Sequence, residues 1–316
     1  MNEIDISVII ATRNREAILW QSVEKAIVSI AGKKAEIIIV NDGDLGLTVN
    51  KAFSEKIRCF NNPLKGVSAA RNFGANMALG DVLFFVDDDM WISPGAIDWI
   101  EEQLKDEQNR AAVYNLNWEY PSTLHHKLTG TKVGRFLLDA TYNTMWGRMH
   151  EKGIKPQKGL YKFHSIASCS LVMHKSIFKK LGGYNEQLIF QGEDIDLSNR
   201  LRLLSIPVYV VFDVTLYHNH QDRLEIEGYL ARLSSGYNSE FKAAHEGIIN
   251  PSDKRHYNGK DRIIFELFLI CKKGIIFIYQ LIPNHKYFNI ITNKLIGTLS
   301  GLERFKEWKN ASIKEK

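Results

Sequence analysis

GVSAARNFGANMALGDVLFFVDDDMW, residues 66–91, reads as a helix, then a strand, then three adjacent carboxylates. Within it VLFFV has no polar member, so a strand here is expected to be buried on both faces, the condition of a strand inside a parallel sheet covered by helices. The preceding VSAARNFGANMAL (67–79) predicts one of those helices. Asp87, Asp88 and Asp89 follow with nothing between them. Like charges so close repel, and beside a core the cost rises steeply unless something positive neutralises them. The stretch asks for a partner, although a solvated acidic turn is the plainer reading, since Asp is common in turns.

The flanking sequence repeats the same grammar. SVIIA (7–11), EIIIV (36–40) and the shorter KIRCF (56–60) read as strands. Residues 15–31 and GAIDWIEEQL (95–104) read as helices, the second opened by Ser93 and Pro94 as cap and first-turn residue. This alternation predicts an α/β fold with a mostly parallel central sheet flanked by helices. Asp42, in IIIVNDGD, follows the second strand as Asp87 to Asp89 follow the later one. Ligands of open parallel sheets bind beyond the carboxyl ends of the strands, so both acidic sites are expected to look into one crevice.

Beyond residue 110 the pattern loosens. AAVYNLNW (111–118) and SIASCSLVMH (165–174) read as strands, with an irregular, aromatic-rich span between them that holds Trp118, Tyr142, Trp146 and Tyr161. A short helix closed by Gly182 and Gly183, the stretch QGEDIDLSNRLRLL and the strand PVYVVFD (207–213) follow. Residues 223–245 read as a helix, and 260–316 as an apolar and basic helical tail.

The chain has 316 residues, 45% of them hydrophobic, enough for a full core. Its net charge of +5 is uneven: residues 251–316 hold 13 Lys or Arg against 6 Asp or Glu, a net +7 that leaves −2 for the rest. A basic tail points to an anionic surface such as membrane lipid or a phosphorylated partner. No zinc-finger spacing, RNP-like run or basic aromatic strand suggests nucleic acid. Cys59, Cys169 and Cys271 are far apart and lack C-x-x-C spacing, so neither a disulfide framework nor a zinc site is expected. The first strand starts at Ile6, which leaves no room for a secretory leader, so the expected location is the cytoplasm. IIFELFLICKKGIIFIYQLI (263–282) is interrupted by Glu266, Lys272, Lys273 and Gln280. It is read as two amphipathic helices lying on the protein or at the inner face of a membrane, not as a span.

SVIIATRN, IIIVNDGD, GVSAARNFGANMALGD, LFFVDDD, LGGYNE and GEDIDLSNRL, in this order, resemble glycosyltransferase family 2 on the GT-A fold over roughly residues 5 to 220. The resemblance implies an inverting, nucleotide-sugar-dependent enzyme. It would divide the chain into a nucleotide-sugar-binding half (1–110), an acceptor-binding half (111–222) and a basic helical extension (223–316). Its donor is a nucleotide-diphosphate sugar, with UDP expected, and its acceptor a saccharide or lipid-linked hydroxyl in polysaccharide or glycoconjugate synthesis. A divalent cation, Mn2+ or Mg2+, would bridge the diphosphate oxygens and stabilise the leaving group, and hard cations favour carboxylates.

By this resemblance Asp87 and Asp89 are the D-x-D pair, with Asp89 the expected metal ligand and Asp87 or Asp88 addressing the ribose or, through water, the metal at the nucleotide site. Asp42 would receive the base N–H, and Arg71 would offer paired donors to the nucleotide. Ala11, Thr12 and Arg13 stand where the family often has Pro-Thr-Tyr. Asp194 is the expected base that takes the acceptor proton, with Glu193 orienting the acceptor; a helix N-terminus accounts for the same acidic pair. His218, following the last strand, is the expected histidine of the metal shell. Gly183, Tyr184, Trp118 and His220 are assigned to the acceptor side. Two other readings stand beside this one. A haloacid-dehalogenase-type phosphoryl transferase would use Asp87 as nucleophile, and a non-catalytic protein would only bind sugar.

Overall fold

The structure, a computed structural model, describes residues 4–48, 57–141, 157–219, 224–249, 257 and 259–313. The chain runs β1 (Ile6–Thr12), α1 (Glu16–Ser29), β2 (Ala35–Asn41), β3 (Ile57–Asn61), α2 (Val67–Met77), β4 (Val82–Asp87), β5 (Met90–Trp91) and α3 (Pro94–Lys105). It continues through β6 (Val113–Glu119), α4 (Ser122–Thr129), α5 (Lys132–Thr141), β7 (Leu160–Phe163), β8 (Ser170–His174), α6 (Lys175–Leu181), α7 (Glu193–Leu203) and β9 (Val208–His218). Four helices close it: α8 (Ile226–His245), α9 (Gly259–Ile270), α10 (Lys272–Leu281) and α11 (Asn289–Ile313).

Two compact units arise from this path. The first contains the described residues up to Pro121 and from 157 to Asn219. Its strands form one sheet in the order β3-β2-β1-β4-β8-β6-β9-β5, with β7 added on β9. Strands β3, β2, β1 and β4 are parallel, as the apolar runs predict, and β8 turns the sheet into a mixed one by pairing antiparallel with β4 and β6.

Side-chain alternation within these runs builds two cores. Val8, Ile10, Ile37, Ile39, Phe84 and Val86 face the helices α1 and α3, whose Leu19, Val23, Ile97 and Ile100 are buried against them. Ile9, Ile38, Val40, Leu83 and Phe85 face the other way, toward α2, α6 and α7. Helix α2 approaches closely because Gly74 has no side chain: a Cβ there would lie 2.5 Å from Ile9 Cγ2. The chain visits β2 and β3 on one side of β1 and then crosses to β4 on the other, so the direction of winding reverses between β1 and β4. That reversal opens a crevice at their carboxyl ends.

Three expectations need correction. The strand expected at 165–174 begins only at Ser170, because the Ala167 amide turns to Asn115 Oδ1 and Ser168 to Asp194. The strand expected at 207–213 continues to His218. An irregularity between Leu116 and Asn117 lets its second half pair with both β6 and β5, so His218 ends the strand instead of following it. Residues 122–141, expected to be irregular, are helical. These short helices are supported by long-range contacts, with Val133, Phe136 and Leu137 packed in a cluster with Ile226, Leu230 and Ile296.

The second unit holds α4, α5 and the four C-terminal helices. Buried Ile296, Leu299 and Leu302, three residues apart on α11, form its spine. Helices α9 and α10 are the expected pair in place of a span, and no described helix is long and apolar enough to cross a membrane.

Candidate active site

The acidic turn after β4 is neutralised by a residue the sequence motifs did not single out. Arg15, at the start of α1, donates from Nη1 to Asp88 Oδ1 at 2.7 Å and from Nη2 to Asp89 Oδ2 at 2.9 Å. Thr12, the last residue of β1, donates to the other Asp88 oxygen at 2.7 Å. Asp89 Oδ1 faces His218 Nε2 at 3.2 Å. The pairing of β5 with β9 sets this contact, placing His218 opposite Met90 while the Asn219 amide donates to the Asp89 carbonyl at 2.7 Å.

Burial alone would raise the pKa of Asp89, but His218 and Arg15 outweigh it and hold the carboxyl well below its ordinary range. Asp88 is pushed up to about 7, chiefly by burial, against the pull of Arg15. Once its proton is released, His218 would offer an imidazole nitrogen beside the hard oxygen of Asp89, the two converging from two elements. No group of three metal-ligating side chains occurs among the described residues. Such a two-donor seat suits Mn2+ or Mg2+, which commonly take one or two carboxylates and complete their shell with phosphate oxygens and water.

The second acidic cluster meets the first through Arg71. This buried guanidinium on α2 donates to Asp87 Oδ1 at 2.9 Å and to Glu193 Oε1 at 3.0 Å, and lies over the Tyr184 ring at 5.4 Å. Burial works against its charge, yet Asp87, Tyr184 and Glu193 raise its pKa above the usual range. Glu193 opens α7, and its Oε2 is buried with no hydrogen-bond partner among the described residues. Beside it Asp194 Oδ1 accepts the Ser168 amide at 3.1 Å and a short bond from the Ser168 hydroxyl. Tyr184 in turn donates its hydroxyl to Ser168 Oγ at 2.9 Å. Burial, followed by the charge of Glu193, pushes Asp194 up to about 7. A carboxyl poised there can exchange a proton near neutral pH.

Residues 7–182, more than half of the chain, match the model of the family described as Glycosyl transferase family 2. The chain belongs to glycosyl transferase family 2. Among curated proteins it is 34% identical over 221 residues to Glycosyltransferase GlyA of Streptococcus pneumoniae serotype 4, covering 67% of this chain and 30% of that one. It is 28% identical over 210 residues to the Probable glycosyltransferase YdaM of Bacillus subtilis, covering 62% and 46%. The chain therefore spans less than half the length of these relatives. Among solved structures it is similar to the Mannosyltransferase PcManGT from Pyrobaculum calidifontis in complex with GDP-Man and Mn2+. There the TM-score is 0.53 at 10% identity, over 95% of this chain and 86% of that one, a likeness of fold. The GT-A-type α/β architecture read from the sequence is thus present.

Within this family 2 domain the expected residues fall at one edge of the sheet. Ala11 lies in register with Asp87 on β4. Asp42 is buried, and its Oδ1 accepts Asn62 Nδ2 at 2.7 Å and the Gly66 amide at 2.9 Å. Exposed Arg13 reaches to 3.8 Å of Asp42 Oδ2. Asp87 turns to Arg71, and Asp89 alone of the three Asp meets His218. Trp118 stands edge-on to the His218 ring at 4.8 Å. Gly183, in the left-handed conformation, lies against Asn72, where a Cβ would come within 2.7 Å of Oδ1. Tyr184 is buried behind Ser168 and Asp194. Asp196 pairs with Arg200. His220, Tyr142 and Trp146 lie outside the described residues.

Arg15 and Ser168 are the site residues that motif reading missed. Arg15 lies two positions past the Ala11-Thr12-Arg13 loop, and its role depends on carboxylates more than 70 residues away. Ser168 sits within a stretch that reads as plain strand.

Proposed function

We propose that this chain is an inverting glycosyltransferase that moves a sugar from a nucleotide-diphosphate donor, with UDP expected, to a hydroxyl of a saccharide or lipid-linked acceptor. One observation carries the reading: Arg71 ties Asp87 to Glu193, so the nucleotide-side and acceptor-side carboxylates form a single site. Asp42, at the end of β2, is assigned to the base of the nucleotide. Asp89 and His218 would hold Mn2+ or Mg2+. When bound, such an ion supplies charge neutralisation for the diphosphate as it departs.

The protein's own groups do the rest. Asp194 accepts the acceptor hydroxyl proton as that oxygen forms its bond to the anomeric carbon and the bond to the diphosphate breaks, an in-line displacement that inverts configuration. Ser168 fixes the Asp194 carboxylate through Oδ1. Glu193 Oε2, without a hydrogen-bond partner among the described residues, is a natural acceptor for a second hydroxyl of the incoming sugar. Family membership displaces the phosphoryl-transfer reading, in which Asp87 would be the nucleophile.

The test is Asp194→Asn. Sugar transfer from UDP-sugars should fall by at least about 10³-fold, the scale of losing a general base, while calorimetry shows UDP binding with Mn2+ retained. Undiminished transfer would refute Asp194 as base, and a folded variant unable to bind UDP would place it in the nucleotide site instead.

A further inference from the structure

Eleven of the twenty exposed large hydrophobic side chains among the described residues lie between Ile263 and Ile291. In the sheet-containing unit the others are scattered, which is ordinary for a protein surface. Helix α9 is apolar on two sides. Phe265 and Leu269, four residues apart, pack into the cluster built on α11, whereas Ile263 and Leu267 point away from it and Phe268 flanks it, the three being 62%, 59% and 46% exposed. Helix α10 repeats the arrangement: Tyr279 is buried, while Phe277 and Leu281 on the opposite side are 59% and 66% exposed. Tyr287, 82% exposed, and Ile290 carry the apolar surface into the start of α11.

We propose that this face of α9, α10 and the start of α11 docks the protein on an anionic membrane surface, lying in the interface and not crossing it. Charge selects the occupant. Residues 259–294 hold six Lys or Arg against two Asp or Glu. Lys260, Arg262, Lys273, Lys286 and Lys294 are all exposed, while Glu266 is already paired with Lys309 at 2.7 Å. Exposed aliphatic and aromatic side chains interleaved with lysines are the pattern of an interfacial helix, whose apolar side sinks below the headgroups while its cations meet acidic lipid. A second copy of the same face would bring like charges together, which opposes self-association. A span is ruled out for α9 and α10 by length, since their 12 and 10 residues cover about 18 and 15 Å against a hydrocarbon core of about 30 Å, and the longer α11 is not apolar enough to cross. The inference is independent of the glycosyl-transfer reading, because no residue of this face belongs to the carboxylate site.

The experiment is co-sedimentation of the full chain with vesicles of phosphatidylcholine, with and without phosphatidylglycerol, at low and high salt. The expected result is binding to the acidic vesicles that is at least about tenfold stronger than to the neutral ones and weakens with salt. Phe268→Glu with Phe277→Glu should lose about tenfold or more of that binding. Lys273→Glu with Lys286→Glu should abolish the preference for acidic lipid. All four positions are exposed, and circular dichroism and UDP binding report whether the variants remain folded. Absence of binding to acidic vesicles at low salt overturns the proposal. So does a wild-type dimer in light scattering that the Phe268→Glu and Phe277→Glu changes convert to monomer.

Discussion

Asp194 makes a quantitative prediction about pH. Its carboxyl is pushed from 3.8 to about 7 by burial and by the neighbouring Glu193 charge. Only the ionised form can take a proton, so kcat at saturating donor, acceptor and Mn2+ should rise about tenfold between pH 6 and pH 8. The Ser168 hydroxyl donates to the charged form, and a hydrogen bond to a charged group is worth about 1.5–3 kcal/mol, or one to two pKa units at about 1.36 kcal/mol each. The Ser168 amide still donates at 3.1 Å after Ser168→Ala, so a shift near one unit is expected. At pH 7 that variant should run at about a fifth of the wild-type rate and recover by pH 9. Tyr184→Phe, which removes the donor to Ser168 Oγ, should shift the profile the same way by less. The assay is initial rate of UDP release across pH 5.5–9.5. A wild-type profile flat between pH 6 and 8 would refute the assignment of the base. A Ser168→Ala loss equal at every pH would refute its role in tuning that base. The sign extends to stability: a carboxyl whose pKa is raised by folding contributes stability that is full below about pH 4 and is lost as pH climbs to about 7.

Two further outcomes follow from packing and charge. Arg71→Met leaves Glu193 buried without its cation and should cost about 3–5 kcal/mol in denaturant unfolding, with Glu193→Gln in the same chain recovering most of it. The Asp87 partner is 39% exposed and contributes little of this; equal stability of the single and double variants would show that the pair is not coupled. Gly74→Val would force a side chain into Ile9 and should lower stability by about 1–3 kcal/mol despite the better helix propensity. An unchanged thermal midpoint would mean that α2 can move away from β1.

The parallel half of the sheet was legible in the sequence because each strand there is a continuous apolar run whose alternation feeds both cores, as Val8, Ile9 and Ile10 do. The positions of Asp42 and Asp87 to Asp89 were legible for the same reason: they end such runs, and a parallel sheet sends all those ends to one edge. Helices α4 and α5 were not legible, since α4 packs on α5 and the short apolar pattern of α5 is buried against α8 and α11, about a hundred residues or more further along the chain. Nor were the contacts within the site. Tertiary structure set the contact between Asp89 and His218, which the resemblance had only assigned to one metal shell, through the register of β5 against β9. It alone brought Arg15 to the acidic turn and Arg71 to Glu193, across 73 and 122 residues. Local sequence determined which segments form the parallel strands, because side-chain periodicity is local; where β8 begins, where β9 ends and which charges neutralise one another are set by distance in space, and only the folded chain defines that.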